Sequence, residues 1–93
     1  MIINSVKYEA EVKPGSSAYD FMHLLKAENK INFSGKNYAE LGFFVEEING
    51  MKNSPTGENW VYYANGRPAQ VGASNYILKN NDVIEWKYEK KSF

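Results

Sequence analysis

The chain has 93 residues, of which 43% are apolar and 15% aromatic, enough for one hydrophobic core and too few for a second domain. Eleven basic residues balance eleven acidic ones, so neither nucleic acid nor an anionic membrane surface is expected as a partner, since both are met by a basic excess. There is no cysteine, which excludes thiol catalysis, thiolate metal sites and disulfides, and leaves the redox compartment open.

The one basic concentration, Lys87, Lys90 and Lys91, is interleaved with Glu85 and Glu89 and reads as a solvated strand face and tail. No charged leader precedes an apolar run, so no signal peptide is expected in this stretch, and no segment reaches spanning length, so no membrane insertion is expected. The opening on a strand pattern is also how a domain of a longer secreted protein would begin.

Ile2, Asn4, Val6, Tyr8, Ala10 and Val12 alternate with Ile3, Ser5, Lys7, Glu9, Glu11 and Lys13. That period of two predicts one half-buried strand of antiparallel type. Pro14-Gly15 ends it. Ser16-Ser17 then offer an N-cap, Asp20 is placed to favour the first turn, and a helix is expected from about Ala18 to Glu28. Ala18, Phe21, Met22 and Leu25 fall on one stripe with Leu24 beside them, while Tyr19, His23 and Lys26 lie toward the other side.

Residues 29–40 are polar and read as a loop pinned by Ile31, Phe33 and Tyr38. Residues 41–48 carry Phe43, Phe44, Val45 and Ile48, a second strand closed by Asn49-Gly50. The stretch 51–59 holds Asn53, Ser54, Pro55 and Gly57 and is expected to be a loop joining this strand to the next in an antiparallel hairpin.

Trp60-Val61-Tyr62-Tyr63 is the strongest strand signal in the chain, and Asn65-Gly66 after it is a tight turn. Residues 67–71 form a short return strand that Pro68 confines to an edge. Residues 72–75 turn again, Tyr76-Ile77-Leu78 is a brief apolar run, and Lys79-Asn80-Asn81-Asp82 is a tight turn. The last strand, Val83 to Glu89, puts Ile84, Trp86 and Tyr88 on one face. Strand, helix and then several strands predict one α+β domain over 1–93, with a single helix packed across a mixed sheet.

The order of elements and the quoted residues resemble a β-grasp (ubiquitin-like) domain, and more closely the bacterial family named for its similarity to the C-terminal domain of transcobalamin. The resemblance rests on Gly15 and the helix after it, Phe43-Phe44-Val45 with Ile48-Asn49-Gly50, Asn59-Trp60-Val61-Tyr62-Tyr63-Ala64-Asn65-Gly66, and Tyr76-Ile77-Leu78 with Asp82-Val83-Ile84-Glu85-Trp86-Lys87-Tyr88. Asn81 stands where that family usually has Gly. Asn is the next best residue for a left-handed position, so the turn is expected to survive. The resemblance implies a module of secreted or cell-surface bacterial proteins. In the vitamin carriers the related domain closes over cobalamin beside a separate helical domain.

Among candidate sites, the aromatic group Trp60, Tyr62, Tyr63, Tyr76, Trp86 and Tyr88 is large enough to leave rings exposed for a flat ligand or a partner surface. Its alternative is a set of core and cross-strand pairs. The ligand-binding candidates are Trp60, Tyr62, Asn65, Arg67 and Tyr76. His23 reads as a solvent-facing helix residue rather than a metal ligand or part of a triad. Glu46 and Glu47, adjacent in a strand, are expected to point to opposite faces. No calcium-loop spacing and no glycine-rich phosphate cradle is present. The expectation is therefore a non-enzymatic module with no catalytic residues, metal or cofactor, cobalamin being the sharpest ligand. Its partner is a small molecule or another protein, met through one sheet face or the loops 49–59 and 65–75. The alternative is a structural spacer or adhesion domain acting through strand edges and self-association.

Overall fold

The computed structural model describes residues 1–69 and 71–90, so Lys91 of the basic tail lies outside the described residues. Its strands are β1 (Ile2–Ile3), β2 (Val6–Lys7), β3 (Phe33–Tyr38), β4 (Gly42–Ile48), β5 (Met51–Lys52), β6 (Glu58–Ala64), β7 (Arg67–Pro68) and β8 (Ile84–Lys90), with one α-helix, α1 (Ala18–Ala27). A mixed five-stranded sheet runs β2-β1-β8-β6-β7, and a second sheet runs β3-β4-β5. The parallel pair is β1 beside β8. This is the α+β arrangement with a single helix that the sequence predicts, enlarged by the second sheet.

The helix begins where its caps dictate. Ser17 Oγ accepts from the Asp20 backbone N–H, and the Asp20 carboxylate accepts from the Ser17 backbone N–H, a reciprocal capping box. It ends in a left-handed Asn29, φ 60°. There the backbone N–H of Lys30 bonds Leu25 O at 2.9 Å and that of Asn29 bonds Lys26 O at 3.0 Å, which satisfies two orphan carbonyls. Ala18, Met22 and Leu25 are wholly buried, as the stripe requires, and His23 is exposed. They meet Ile3, Trp60, Tyr62, Ile84 and Trp86 of the large sheet and Phe33, Val45 and Ile48 of the small one in a single core.

β6 and β8 pair antiparallel over seven residues, with Trp60 opposite Tyr88, Tyr62 opposite Trp86 and Ala64 opposite Ile84. Trp60, Tyr62 and Trp86 are all buried, so the Trp60/Tyr62 face is the one that meets the helix. Ring pairs follow the register, Trp60–Tyr88 at 5.3 Å and Tyr62–Trp86 at 4.9 Å between centroids. β7 lies at the sheet edge, where a proline costs no ladder bond.

Three expectations are corrected. The first strand does not run to Lys13, because Asn4 and Ser5 both take positive φ and turn the chain back in a two-residue hairpin, Ile2 opposite Lys7 and Ile3 opposite Val6. The turn places Ile3 and Val6 on one face, so the alternation inverts across it, and the buried residue is Ile3, expected on the charged face, while Val6 is 53% exposed. Residues 33–38 are a strand, not a loop, paired with β4; Phe33 is a core residue but Tyr38 is 47% exposed and pins nothing.

The third concerns β4 and β6, which do not form a hairpin. β4 turns at Asn49-Gly50 into β5, and β6 pairs along its length with β8 and at its last two residues with β7.

Candidate functional site

The small sheet carries a β-bulge. Ser34 pairs with Glu47 but Gly35 pairs with Val45, leaving Glu46 as the extra residue. Only such an insertion lets Val45 and Ile48, three apart, both face the core at 5% and 1% exposure. Gly35 opposite the bulge has no alternative, since a Cβ there would sit 2.1 Å from Phe44 O and 2.9 Å from Val45 Cα. The bulge also corrects the reading of Glu46 and Glu47 as pointing to opposite faces, for both line one recess together with Ser34, Lys52 and Asn53.

Beyond the bulge, β4 and β6 pass each other without a ladder, and a groove of about 330 Å³ opens there. Tyr38, Leu41 and Phe44 line it from the small sheet, Trp60 and Asn59 from β6, and Val45, Glu46 and Asn53 fill the space between. Tyr38, Leu41 and Phe44 are 47%, 61% and 40% exposed. The Tyr38 and Phe44 rings stand at 75° with centroids 5.6 Å apart, making a corner of two aromatic walls.

The far wall is held firmly. The Trp60 indole N–H donates to Met51 O at 2.7 Å, and Asn53 Oδ1 accepts from the Trp60 backbone N–H at 2.8 Å. Asn59 donates from Nδ2 to Gly57 O at 3.0 Å. The site is thus largely preformed.

Of the five residues singled out from the sequence, Trp60 alone lines this groove. Tyr62 is buried at 6% exposure, and its hydroxyl donates to Val71 O. Burial, aided by nearby Tyr76, pushes its phenol pKa from 10.0 up to about 12.

Asn65 and Tyr76 converge on Asp82 instead. Asn65 Nδ2 donates to Asp82 Oδ1 at 2.8 Å, and the Tyr76 hydroxyl and the Lys79 backbone N–H donate to Oδ2 at 3.2 and 2.8 Å. The Val83 N–H donates to Asn65 Oδ1 at 2.8 Å, and Asn81 takes the left-handed φ of 70° expected of it. Donation from Asn65, then from Lys79, holds the Asp82 carboxyl below its ordinary value of 3.8. Asn65-Gly66 and Asp82-Val83 therefore join one turn to another. Arg67 stands exposed at the hairpin, away from the groove lining.

Tyr38, Leu41, Phe44, Glu46, Asn53 and Asn59 escaped sequence reasoning as a group, because they come from three segments that meet only in the fold. The one signal present was the pair Phe43-Phe44, too many adjacent aromatics for one buried face. A second cleft, about 430 Å³, lies between the helix start and the turn before β8, lined by Val12, Lys13, Phe21, Leu78, Lys79 and Asp82 among others. The edges of the large sheet are blunt, β2 and β7 being two residues each and β7 holding Pro68. No helix is long and apolar enough to cross a membrane among the described residues.

The profile of a family described as a domain of unknown function (DUF4430) matches residues 15–90. Seven chains of solved structures match significantly. One is the 1.30 Å crystal structure of a protein from Ruminococcus gnavus ATCC 29149, described as a candidate metal binding protein. It is 14% identical with a TM-score of 0.66, over 98% of this chain and 92% of the other, a likeness of fold alone. No curated protein compared matches significantly.

Proposed function

The chain belongs to the DUF4430 family of domains of unknown function, and from that premise we propose that it is a non-catalytic binding module taking a small ligand or a partner's side chain into the groove between its two sheets. The observation that carries this is the exposure of Tyr38, Leu41 and Phe44 around a concavity whose far wall is fixed by hydrogen bonds. Large apolar side chains left in water beside a preformed hollow are what a ligand site looks like before it is filled.

The non-catalytic half of the reading is supported by the dispersal of reactive groups. His23 sits on the exposed helix side with Tyr19 and Phe33 as ring neighbours, and Ser17 is engaged in the helix cap. Metal binding, suggested by the Ruminococcus gnavus protein, does not fit this chain's donors. Among the described residues no three His, Asp or Glu side chains gather.

Cobalamin is the ligand that the transcobalamin resemblance supplies. A groove of about 330 Å³ is at the small end of ligand pockets, which run from roughly 300 to 1,000 Å³, so a corrinoid would lie across it rather than enter. A secreted or cell-surface setting is part of the same proposal, on the same resemblance.

The test is an amide NMR titration of the isotope-labelled domain with cobalamin, cobinamide, haem and a panel of small metabolites. Saturable shifts centred on Phe44, Asn53, Asn59 and the Trp60 indole are expected. Shifts confined to other surfaces, or a silent spectrum across the panel, would remove the groove as a ligand site.

A further inference from the structure

We propose that the groove takes a quaternary ammonium head group of the choline type, carried by a small molecule. The proposal rests on the groove being the binding site and adds the chemistry of its occupant. Three observations carry it. Tyr38 and Phe44 present two exposed rings at 75°, while Trp60, 6% exposed, backs the groove from the core with its indole N–H tied to Met51 O. A cation held against the exposed ring faces gains from the quadrupole of each.

Second, Glu46 is the one charged residue lining the groove. Among the described residues its carboxylate has neither a hydrogen-bond donor nor a basic group within ion-pair distance; the ion pairs present are Lys7–Glu9 and Lys30–Glu28. Lys36 pairs across the ladder with Phe44 and Lys52 with Glu47, but neither lines the groove. Third, Glu46 is the bulged residue of β4, and bulges re-aim a side chain beside functional sites.

The chemistry separates the possible occupants. An anion meets Glu46 and is repelled. A calcium or magnesium ion wants about six or more oxygens and a zinc ion about four ligands, usually Cys, His or carboxylate, and the groove offers one carboxylate. A primary ammonium brings three donors that need acceptors, whereas Asn53 Oδ1 already accepts from the Trp60 N–H and the exposed walls Tyr38, Leu41 and Phe44 are mostly carbon. A quaternary ammonium donates nothing. Its methyl groups pack on Leu41 and the rings, and its charge is balanced by Glu46 without a hydrogen bond.

The experiment titrates the labelled chain with choline and with its neutral carbon isostere, in which carbon replaces nitrogen. Choline is expected to give saturable shifts at Phe44, Glu46 and the Trp60 indole in the millimolar range, as about 4 kcal/mol implies. The isostere should bind at least about tenfold more weakly, and Glu46→Gln should weaken choline about tenfold, the ratio that about 1.4 kcal/mol gives.

Phe44→Leu keeps an apolar wall but removes a ring face, so it should weaken choline and spare the isostere. Each variant is checked for a native amide spectrum. Equal binding of choline and isostere, or indifference to Glu46→Gln, overturns the cation inference while leaving an apolar binding groove intact. No choline shifts at tens of millimolar overturn it too; the groove reading itself then stands or falls with the metabolite panel.

Discussion

Tyr62→Phe isolates one hydroxyl in the core. That hydroxyl donates to Val71 O from a residue 6% exposed, while the acceptor belongs to a residue 42% exposed whose carbonyl can bind water instead. The loss at neutral pH should therefore fall near the low end of a buried hydrogen bond, about 0.5–1 kcal/mol. The alkaline side is more discriminating. The phenol's pKa rises from 10.0 to about 12 on folding, so the unfolded chain sheds its proton first. The contribution is complete below pH 10 and drains away as pH climbs toward 12. Two pKa units correspond to at most about 2.7 kcal/mol, which water reaching the exposed Val71 end of the bond reduces to about 1–2 kcal/mol. Urea unfolding followed by Trp fluorescence, wild type against Tyr62→Phe at several pH values from 8 to 12, measures the difference with all other groups cancelled. The gap should shrink and reverse across that window. A gap constant with pH would show that the hydroxyl is not buried against Val71, and the packing assigned to β6 would be wrong.

Asp82→Asn probes the link between the two turns. Because the folded carboxyl titrates below 3.8, its contribution is present above that pH and is lost as pH falls through the depressed value. Wild type should lose about 1 kcal/mol between pH 4 and pH 2 at this water-facing site, and the Asp82→Asn variant should not; parallel acid curves would refute the role assigned to Asp82. Gly35→Ala forces a Cβ to 2.1 Å from Phe44 O, and because the obstacle is backbone, the sheet must shift. A loss of about 3 kcal/mol or more is expected, with amide shifts concentrated on Phe44 to Glu47; unchanged stability would mean that the bulge does not pack Gly35 against β4.

The helix was legible from start to finish, because every determinant is local: Ser17 and Asp20 cap it, Met22 and Leu25 lie on one stripe, and its end is written within a few residues of Asn29. β6 and β8 were also visible as strands, since aromatic alternation marks both and the turns at Asn65-Gly66 and Asn81-Asp82 use residues that accept positive φ, but that they pair with each other was not. What local chemistry could not show was which strands share an edge. Phe33–Tyr38 is too polar to announce itself, and becomes a strand only because β4 lies beside it and Gly35 lets the backbones close. Asn4-Ser5 reverses the chain and with it the parity of the buried face, so that Ile3 is buried and Val6 exposed. The groove is the most dependent on tertiary structure. Its walls come from residues 38–46, 53 and 59–60, and Glu46 enters only through a bulge whose cause is the register between two strands. Pairing is a long-range choice among competing edges, settled by burial of the whole core, and no window of the chain carries it alone.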